Sequence, residues 1–540
     1  MTKTDVLPFF SRAVSWMLEG PSHVLLSLTC ALIAWYALDF LSRPQYFGIP
    51  GPFLAKFSDL WLTRQAMRGD RWRVVDDLHR RYGKVVRLAP NHISIADADA
   101  LNPIYGHSTG TLKEERFYSG FVPPAPAVRG LFNTTNRAEH TRKRKAVSHA
   151  FSPKQIVSFE HFIRKDVQLL LDRWDEFCKA AEEKQTEGPR GLKGYAWLDS
   201  LEWMNFFAFD TIGDLAFGST FGMLESGKDV AMAEVEDANG NKETKKCSAV
   251  ETINLRGEVS ATIGLVPYWL RPLTLRLPWF AKRLQAVRTL TGIALARVND
   301  RLVNGSERDD LLAALQSAKD EKGEQMEKRE LTAEALTQLI AGSDTTSNTS
   351  CAILYHLGST PDALKKLQVE LDKELVNAED VPLMSDVDRL PYLQGVLNES
   401  MRTHGTSSIG LPRVLPAQGA VIAGHFFPGG SVLSVPTYTI HHDASVWGAD
   451  ARQYRPDRWL DANYKKKTEK AFNPFSVGPR ACVGRNVALA ELSILIAALI
   501  HRYDFVLEEP EKFFQTREGF LKKPVELRIG IKRRGSARAS

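Results

Sequence analysis

The chain has 540 residues, 44% hydrophobic and 25% charged, so it holds enough apolar material for a large core and is neither disordered throughout nor a polytopic membrane protein. Its net charge of +6 is a mild excess with no long basic tract, which excludes a nucleic-acid partner of the usual kind. Five cysteines (Cys30, Cys178, Cys247, Cys351, Cys482), odd in number, far apart and without a C-x-x-C pair, fit a reducing compartment and argue against a disulfide scaffold or a zinc finger.

Between Glu19 and Asp39 no residue carries a formal charge, a stretch long enough as a helix to cross a bilayer's hydrocarbon core. No A-x-A site follows it, and Trp35 and Tyr36 suit a membrane interface. It reads as a single-pass anchor over 23–42 behind a short lumenal tail, 1–22; a cleavable signal peptide and a buried core helix are the rivals. Pro44, Pro50, Gly51 and Pro52 then mark a stiff hinge over 43–54 that uncouples the anchor from the remainder, 55–540. Arg43, Lys56 and Arg64 beyond the apolar stretch put that remainder on the cytosolic side.

Alternation at 85–88 and 93–95 predicts two short strands, and 525–529 predicts a third near the C-terminus. Long helical patterns cover 153–181, 284–302 and 332–357, and an apolar helical run covers 487–500. The charged, Gly/Asn-rich stretch 227–247 reads as a surface loop insertion. The fold class expected is mainly α with a small β-rich region built from distant segments.

The chemistry concentrates in residues 475–485, Phe-Ser-Val-Gly-Pro-Arg-Ala-Cys-Val-Gly-Arg, directly before the run 487–500. A cysteine held at a helix N-terminus meets backbone N–H groups and the positive end of the macrodipole, both of which favour a thiolate able to ligate a metal. Gly478 and Gly484 permit a tight course, Phe475 can cover the Cys482 sulfur, and Arg480 lies two residues from it. A cysteine before a helix can equally be a buried structural residue. In the middle of 332–357, Ala341-Gly342-Ser343-Asp344-Thr345-Thr346 puts poor helix formers among apolar neighbours and invites a local opening of the ladder. Glu399 and Arg402 stand three apart on one helix face, and Arg458 follows in Pro-Asp-Arg-Trp; a solvated pair is the alternative for either motif alone.

The spacing F-x-x-G-x-R-x-C-x-G resembles the heme loop of the cytochrome P450 family, and A-G-x-D-T-T and E-x-x-R resemble two further motifs of that family. The resemblance implies a cytochrome P450 fold behind the anchor, with 55–540 as the heme-thiolate monooxygenase domain and Cys482 as axial ligand to the iron of heme b. It further implies that Thr345 holds dioxygen and its water, that Asp344 relays protons, and that Glu399, Arg402 and Arg458 form a structural network. The family's W-x-x-x-R is here His140 to Arg144, so Arg144 carries over as a propionate contact and His140 departs from the pattern; Arg413 and Arg480 are the other propionate candidates. Longer strings, 137–145, 213–218, 256–262, 330–355 and 517–521, resemble the fungal benzoate para-hydroxylase branch.

That branch implies para-hydroxylation of benzoate, a small aromatic carboxylate, to 4-hydroxybenzoate with dioxygen and NADPH-derived electrons, at the endoplasmic reticulum membrane. Arg129, Ser407 and Ser408 are candidate carboxylate donors and Phe520 a candidate ring contact, against readings as a surface arginine, helix-end serines and a packed core phenylalanine. The chain has no flavin or nicotinamide fingerprint of its own, so the implied partner is an NADPH-dependent diflavin cytochrome P450 reductase, with cytochrome b5 as a second donor. Arg142, Lys143, Lys145, Arg485, Lys465, Lys466, Lys467 and Lys470 are candidates for steering it. The rival functions are the same chemistry on another phenolic, lipid or secondary-metabolite substrate, a heme-thiolate isomerase or dehydratase, and a non-catalytic membrane heme-binding protein.

Overall fold

The computed structural model describes residues 20–123, 128–185, 187–236, 242–305, 310–318, 323–376 and 380–535; most of the tail 1–22 lies outside them. The first helix, α1 (Pro21–Leu41), has no buried residue and is long and apolar enough to cross a membrane. The segment after it is not the uncoupling hinge expected. Tyr46 and Ile49 are buried against Ile93, Ile95 and Leu433, and the Tyr46 hydroxyl lies 2.6 Å from Ser431 Oγ. Arg87 N–H donates to Pro50 O at 2.8 Å, and a Cβ on Gly51 would stand 2.3 Å from Arg87 O. Proline rigidity here seats the chain on the sheet, because the apolar residues between the prolines gain more by docking than by staying in water.

The helices that frame the site are α2 (Arg137–Ser148), α3 (Pro153–Lys184), α4 (Ser200–Phe217), α5 (Ala249–Ile263), α6 (Pro278–Asn304), α7 (Lys328–Ser359), α8 (Pro391–Thr403) and α9 (Arg485–Arg502). Asp199 caps α4 by accepting from Leu201 N–H at 3.0 Å, and Gly218 ends it at φ +77°. Nearly all of α4 is buried, as is α9 from Val487 to Ile500 apart from two half-buried residues; both pack on α7, which runs through the middle of the molecule. A helix apolar on every side belongs at a core's centre.

The largest sheet runs in the order Val85–Ala89, His92–Ile95, Val432–Ser434, Arg413–Val414 and Leu112–Lys113; one pairing, 432–434 with 92–94, is parallel. The two expected N-terminal strands pair antiparallel within it. The expected strand at 525–529 is displaced: Lys522–Pro524 closes a hairpin with Thr516–Glu518, and the last strand is Arg528–Arg533, paired with Tyr503–Leu507 and Ala196–Asp199. The alternation at 525–529 bridges two strands of different sheets. Nor is most of the described part of 227–247 a loop. Ala231–Glu236 and Lys242–Cys247 form a hairpin whose buried Ala231 and Ala233 face the core; a Cβ on Gly292 of α6 would stand 2.2 Å from Glu234 O. Its charges occupy the solvent face of a strand pair, which composition alone reads as a loop.

Candidate active site

A cavity of 360 Å³ opens between α7, α9, α2, α5 and the C-terminal hairpin. The loop before α9 forms its floor. Gly478 sits at φ +74°, and a Cβ there would fall 1.9 Å from Tyr105 O, so only glycine fits. Gly484 has an ordinary φ of −82°, and a Cβ there would meet the Phe151 ring at an ordinary 3.7 Å; what it contributes is a backbone N–H aimed at the Cys482 sulfur. Cys482 N–H donates to Phe475 O at 2.9 Å, and Ala481 O accepts from Arg144 Nη1 at 2.6 Å, which fixes the turn from both sides. The sulfur is surrounded by protein yet faces the cavity, as does Phe475, over which Arg485 sits at 5.6 Å. Burial pushes the thiol pKa up, against the downward pull of the Gly484 N–H, Arg144 and Arg485.

The opposite wall is the middle of α7. Thr345 lines the cavity with Ala341 and Gly342, its hydroxyl donating to Ala341 O at 2.7 Å. The expected opening of the ladder does not occur, because α7 is continuous and the Ser343 and Thr345 hydroxyls bond within it. Gly342 is small for packing: a Cβ would stand 2.6 Å from Ile212 of α4. Asp344 does not line the cavity. Its Oδ1 pairs with Lys523 Nζ at 2.8 Å, both side chains about one-tenth exposed.

Three cations and a histidine line the cavity on the Cys482 side. Arg144 lies on α2 one turn from His140, Arg480 donates to Thr134 O at 3.0 Å, and Lys113 donates to Phe132 O beneath the Tyr118 ring. Burial first, then the surrounding positive charges, hold the His140 pKa down to about 3, so the ring is neutral at physiological pH. Arg480 is held down to about 10, by burial and then by Arg413. Arg413 itself is buried just behind the cavity, donating to Tyr118 Oη at 2.8 Å.

On the far side of α7, Glu399, Arg402 and Arg458 come together with no solvent exposure. Glu399 accepts from Arg402 Nε and Nη2 at 2.8 Å each, Arg458 Nε at 3.0 Å, and Trp459 Nε1 and Arg455 N–H at 2.9 Å each.

The expected substrate donors divide. Ser407 lines the cavity and Phe520 faces it, 4.9 Å from the Phe121 ring and 5.1 Å from Phe132. Ser408 does not; its buried hydroxyl turns back to Gly405 O. Arg129 is engaged by Glu115, Asn133 O and Thr135 at a half-exposed position and lines no part of the cavity, because the adjacent carboxylate captures the guanidinium. Lys143 also departs from its expected surface role: it is fully buried, pairing with Glu330 and with Glu334 at 3.0 Å, while Arg142 binds Glu139 and Glu330. Sequence reasoning missed Lys113, Arg256, Lys523 and Glu491. Glu491 lines the cavity from α9, accepts from Thr346 Oγ1 at 2.8 Å, and is pushed up to about 7 by burial. The sole charge within the apolar run 487–500 was the signal that could have found it.

A cysteine loop aimed across a buried cavity at a threonine-bearing central helix, with a closed Glu–Arg–Arg network behind, is the arrangement of a heme-thiolate oxygenase. The sequence model of the cytochrome P450 family matches residues 49–531, and the chain belongs to that family as a cytochrome P450 monooxygenase. It is 48% identical over 532 residues to a benzoate 4-monooxygenase of Aspergillus niger, covering 96% of this chain and 99% of that protein. A cytochrome P450 monooxygenase of Aspergillus flavus is 30% identical over 95% of this chain and 97% of its own, and a pisatin demethylase of Fusarium vanettenii 29% identical over 93% and 92%. The family works with heme ligated by a cysteine thiolate, with dioxygen and with electrons delivered by a redox partner.

Proposed function

We propose that this monooxygenase hydroxylates benzoate at the para carbon to 4-hydroxybenzoate. The observation that carries the reading is the 48% identity to a benzoate 4-monooxygenase across essentially the full length of both proteins. The cavity supports it: aromatic walls from Phe121, Phe132 and Phe520 meet buried cations, the combination an aromatic carboxylate requires before it leaves water.

The residues present fit heme b. Cys482 would hold the iron and Arg144, Arg480 and Lys113 would meet the propionates, with His140 beside them; Arg413 supports Tyr118 from behind. Bound there, heme would supply the oxidising equivalent for inserting oxygen into a C–H bond. The protein's share is placement and protons. Thr345 presents a hydroxyl to the cavity, Asp344 lies next to it on α7, and the aromatic walls exclude water while orienting the ring.

In this reading α1 is a single-pass anchor in the endoplasmic reticulum membrane, 55–540 is cytosolic, and NADPH-derived electrons arrive through a diflavin reductase. Exposed Lys145, Arg485, Lys465, Lys466, Lys467 and Lys470 are the steering charges. A benzoate titration of the heme-loaded protein tests the substrate. Benzoate should shift the spin state at concentrations where benzamide and toluene do not, and a protein responding to toluene but not to benzoate contradicts the reading.

A further inference from the structure

The cavity holds one cation apart from the group around Cys482. Arg256, on α5, lines the cavity with only 7% exposure. Its one hydrogen bond among the described residues is a long one, Nη2 to Phe121 O at 3.4 Å, and its guanidinium lies 5.4 Å from the centre of the Phe121 ring. No described carboxylate is within ion-pair distance of it. The carboxylate whose field reaches it is Asp344, already paired with Lys523. A buried guanidinium with five N–H donors and one weak acceptor is expensive to maintain, and burial holds its pKa down to about 10.

Its neighbours set it apart from the other cations. Lys113, Arg413 and Arg144 act on His140 together with Arg480, as one electropositive group on the Cys482 side, and Arg256 is not among them. Arg256 stands instead where the aromatic wall begins, beside Phe121, whose ring meets Phe132 at 5.4 Å and Phe520 at 4.9 Å. Its helix is held against the hairpin that carries Phe520: Arg517 Nε pairs with Glu258 at 2.5 Å, and a Cβ on Gly519 would stand 2.9 Å from Glu258 N. The helix that carries the cation and the hairpin that carries Phe520 are therefore in direct contact.

We propose that Arg256 is the carboxylate receptor of the substrate cavity, its planar fork taking both oxygens of an aromatic carboxylate while Phe121, Phe132 and Phe520 hold the ring. This rests on the aromatic-carboxylate reading given above. It gives the anion a partner that neither Arg129 nor Ser408 can provide, and fixes the carboxylate end so that the opposite, para end is the one left to turn toward the reacting centre.

The test uses the heme-loaded full chain and two independent readouts. In spin-state titrations, Arg256→Gln should weaken benzoate binding by roughly 100-fold, the scale of a lost charge-assisted pair, while altering benzamide binding only a few-fold; Arg256→Lys should fall between. In the unsubstituted protein, saturating benzoate should protect Arg256 from phenylglyoxal modification, read by peptide mass spectrometry. Should Arg256→Gln fail to take up heme, the protection experiment decides alone. Normal benzoate affinity in Arg256→Gln, or equal labelling with and without benzoate, overturns Arg256 as receptor and leaves the substrate reading standing. An unsubstituted protein that ignores benzoate altogether defeats the substrate reading and the receptor with it.

Discussion

Two buried charged centres flank α7, and they are built on opposite principles. Behind the helix, Glu399 receives five hydrogen bonds, and Arg402 and Arg458 spend their remaining N–H groups on His441 O, Ala451 O, Asp450 and Tyr464. Nothing in that centre is left to bind. In front, Arg256 keeps most of its donors open, Cys482 lines the cavity, and Glu491 leans on one hydroxyl. A closed network fixes a fold; an open one is poised to take ligands, and the surrounding aromatic packing holds it open.

The comparison breaks most severely at Glu399. Glu399→Ala leaves Arg402 buried without a counter-charge and Arg458 with Asp450 alone, a loss of about 3–5 kcal/mol, and should yield little or no folded heme protein on expression. Cys482→Ala is the contrasting case. It should leave the secondary structure and melting of the heme-free chain near normal while abolishing the thiolate-type absorption of the reduced carbon monoxide complex; persistence of that band rules out Cys482 as the ligand.

Asp344 sharpens the boundary between the two centres, since it is paired like the first and adjacent to Thr345 like the second. Asp344→Asn should slow turnover roughly 10²-fold, the scale of a lost proton relay, with heme content unchanged. A normal rate with a lowered melting temperature would make Asp344 a structural partner of Lys523 only.

The effect confined to one pH range belongs to Glu491. Its carboxyl titrates near 7 when folded and near 4.5 when unfolded, so its contribution is full below about 4.5 and fades as pH rises to about 7. Glu491→Gln should remove on the order of 3 kcal/mol of that decline, visible as a higher melting temperature than the parent at pH 8 and little difference at pH 4.5. Equal melting temperatures at both pH values would mean that the group is hydrated.

The Glu399–Arg402 pair of the closed centre and the cysteine loop of the open one were the legible parts. E-x-x-R and F-x-x-G-x-R-x-C-x-G are local spacings, set by one helical turn and one loop, so sequence places their side chains relative to one another. The open side depends on pairs far apart in the chain. Asp344 meets Lys523 across 179 residues and Lys143 meets Glu334 across 191, and no periodicity encodes either meeting. The same distance hid Arg256, which drew notice only inside a longer string, and misplaced Arg129, whose capture by Glu115 is a contact between separate segments. Long helices at 153–181, 284–302 and 332–357 were legible because amphipathic or apolar runs of that length have few alternatives. The hairpin at 231–247 was not, since its charged face outweighed two buried alanines.

The most direct measurement is product analysis of the heme-loaded protein reconstituted with a diflavin reductase, NADPH and benzoate. The account predicts 4-hydroxybenzoate formed in proportion to NADPH consumed, with benzamide and toluene turned over far more slowly. Hydroxylation at another ring carbon, or turnover of the neutral analogues with benzoate untouched, contradicts it.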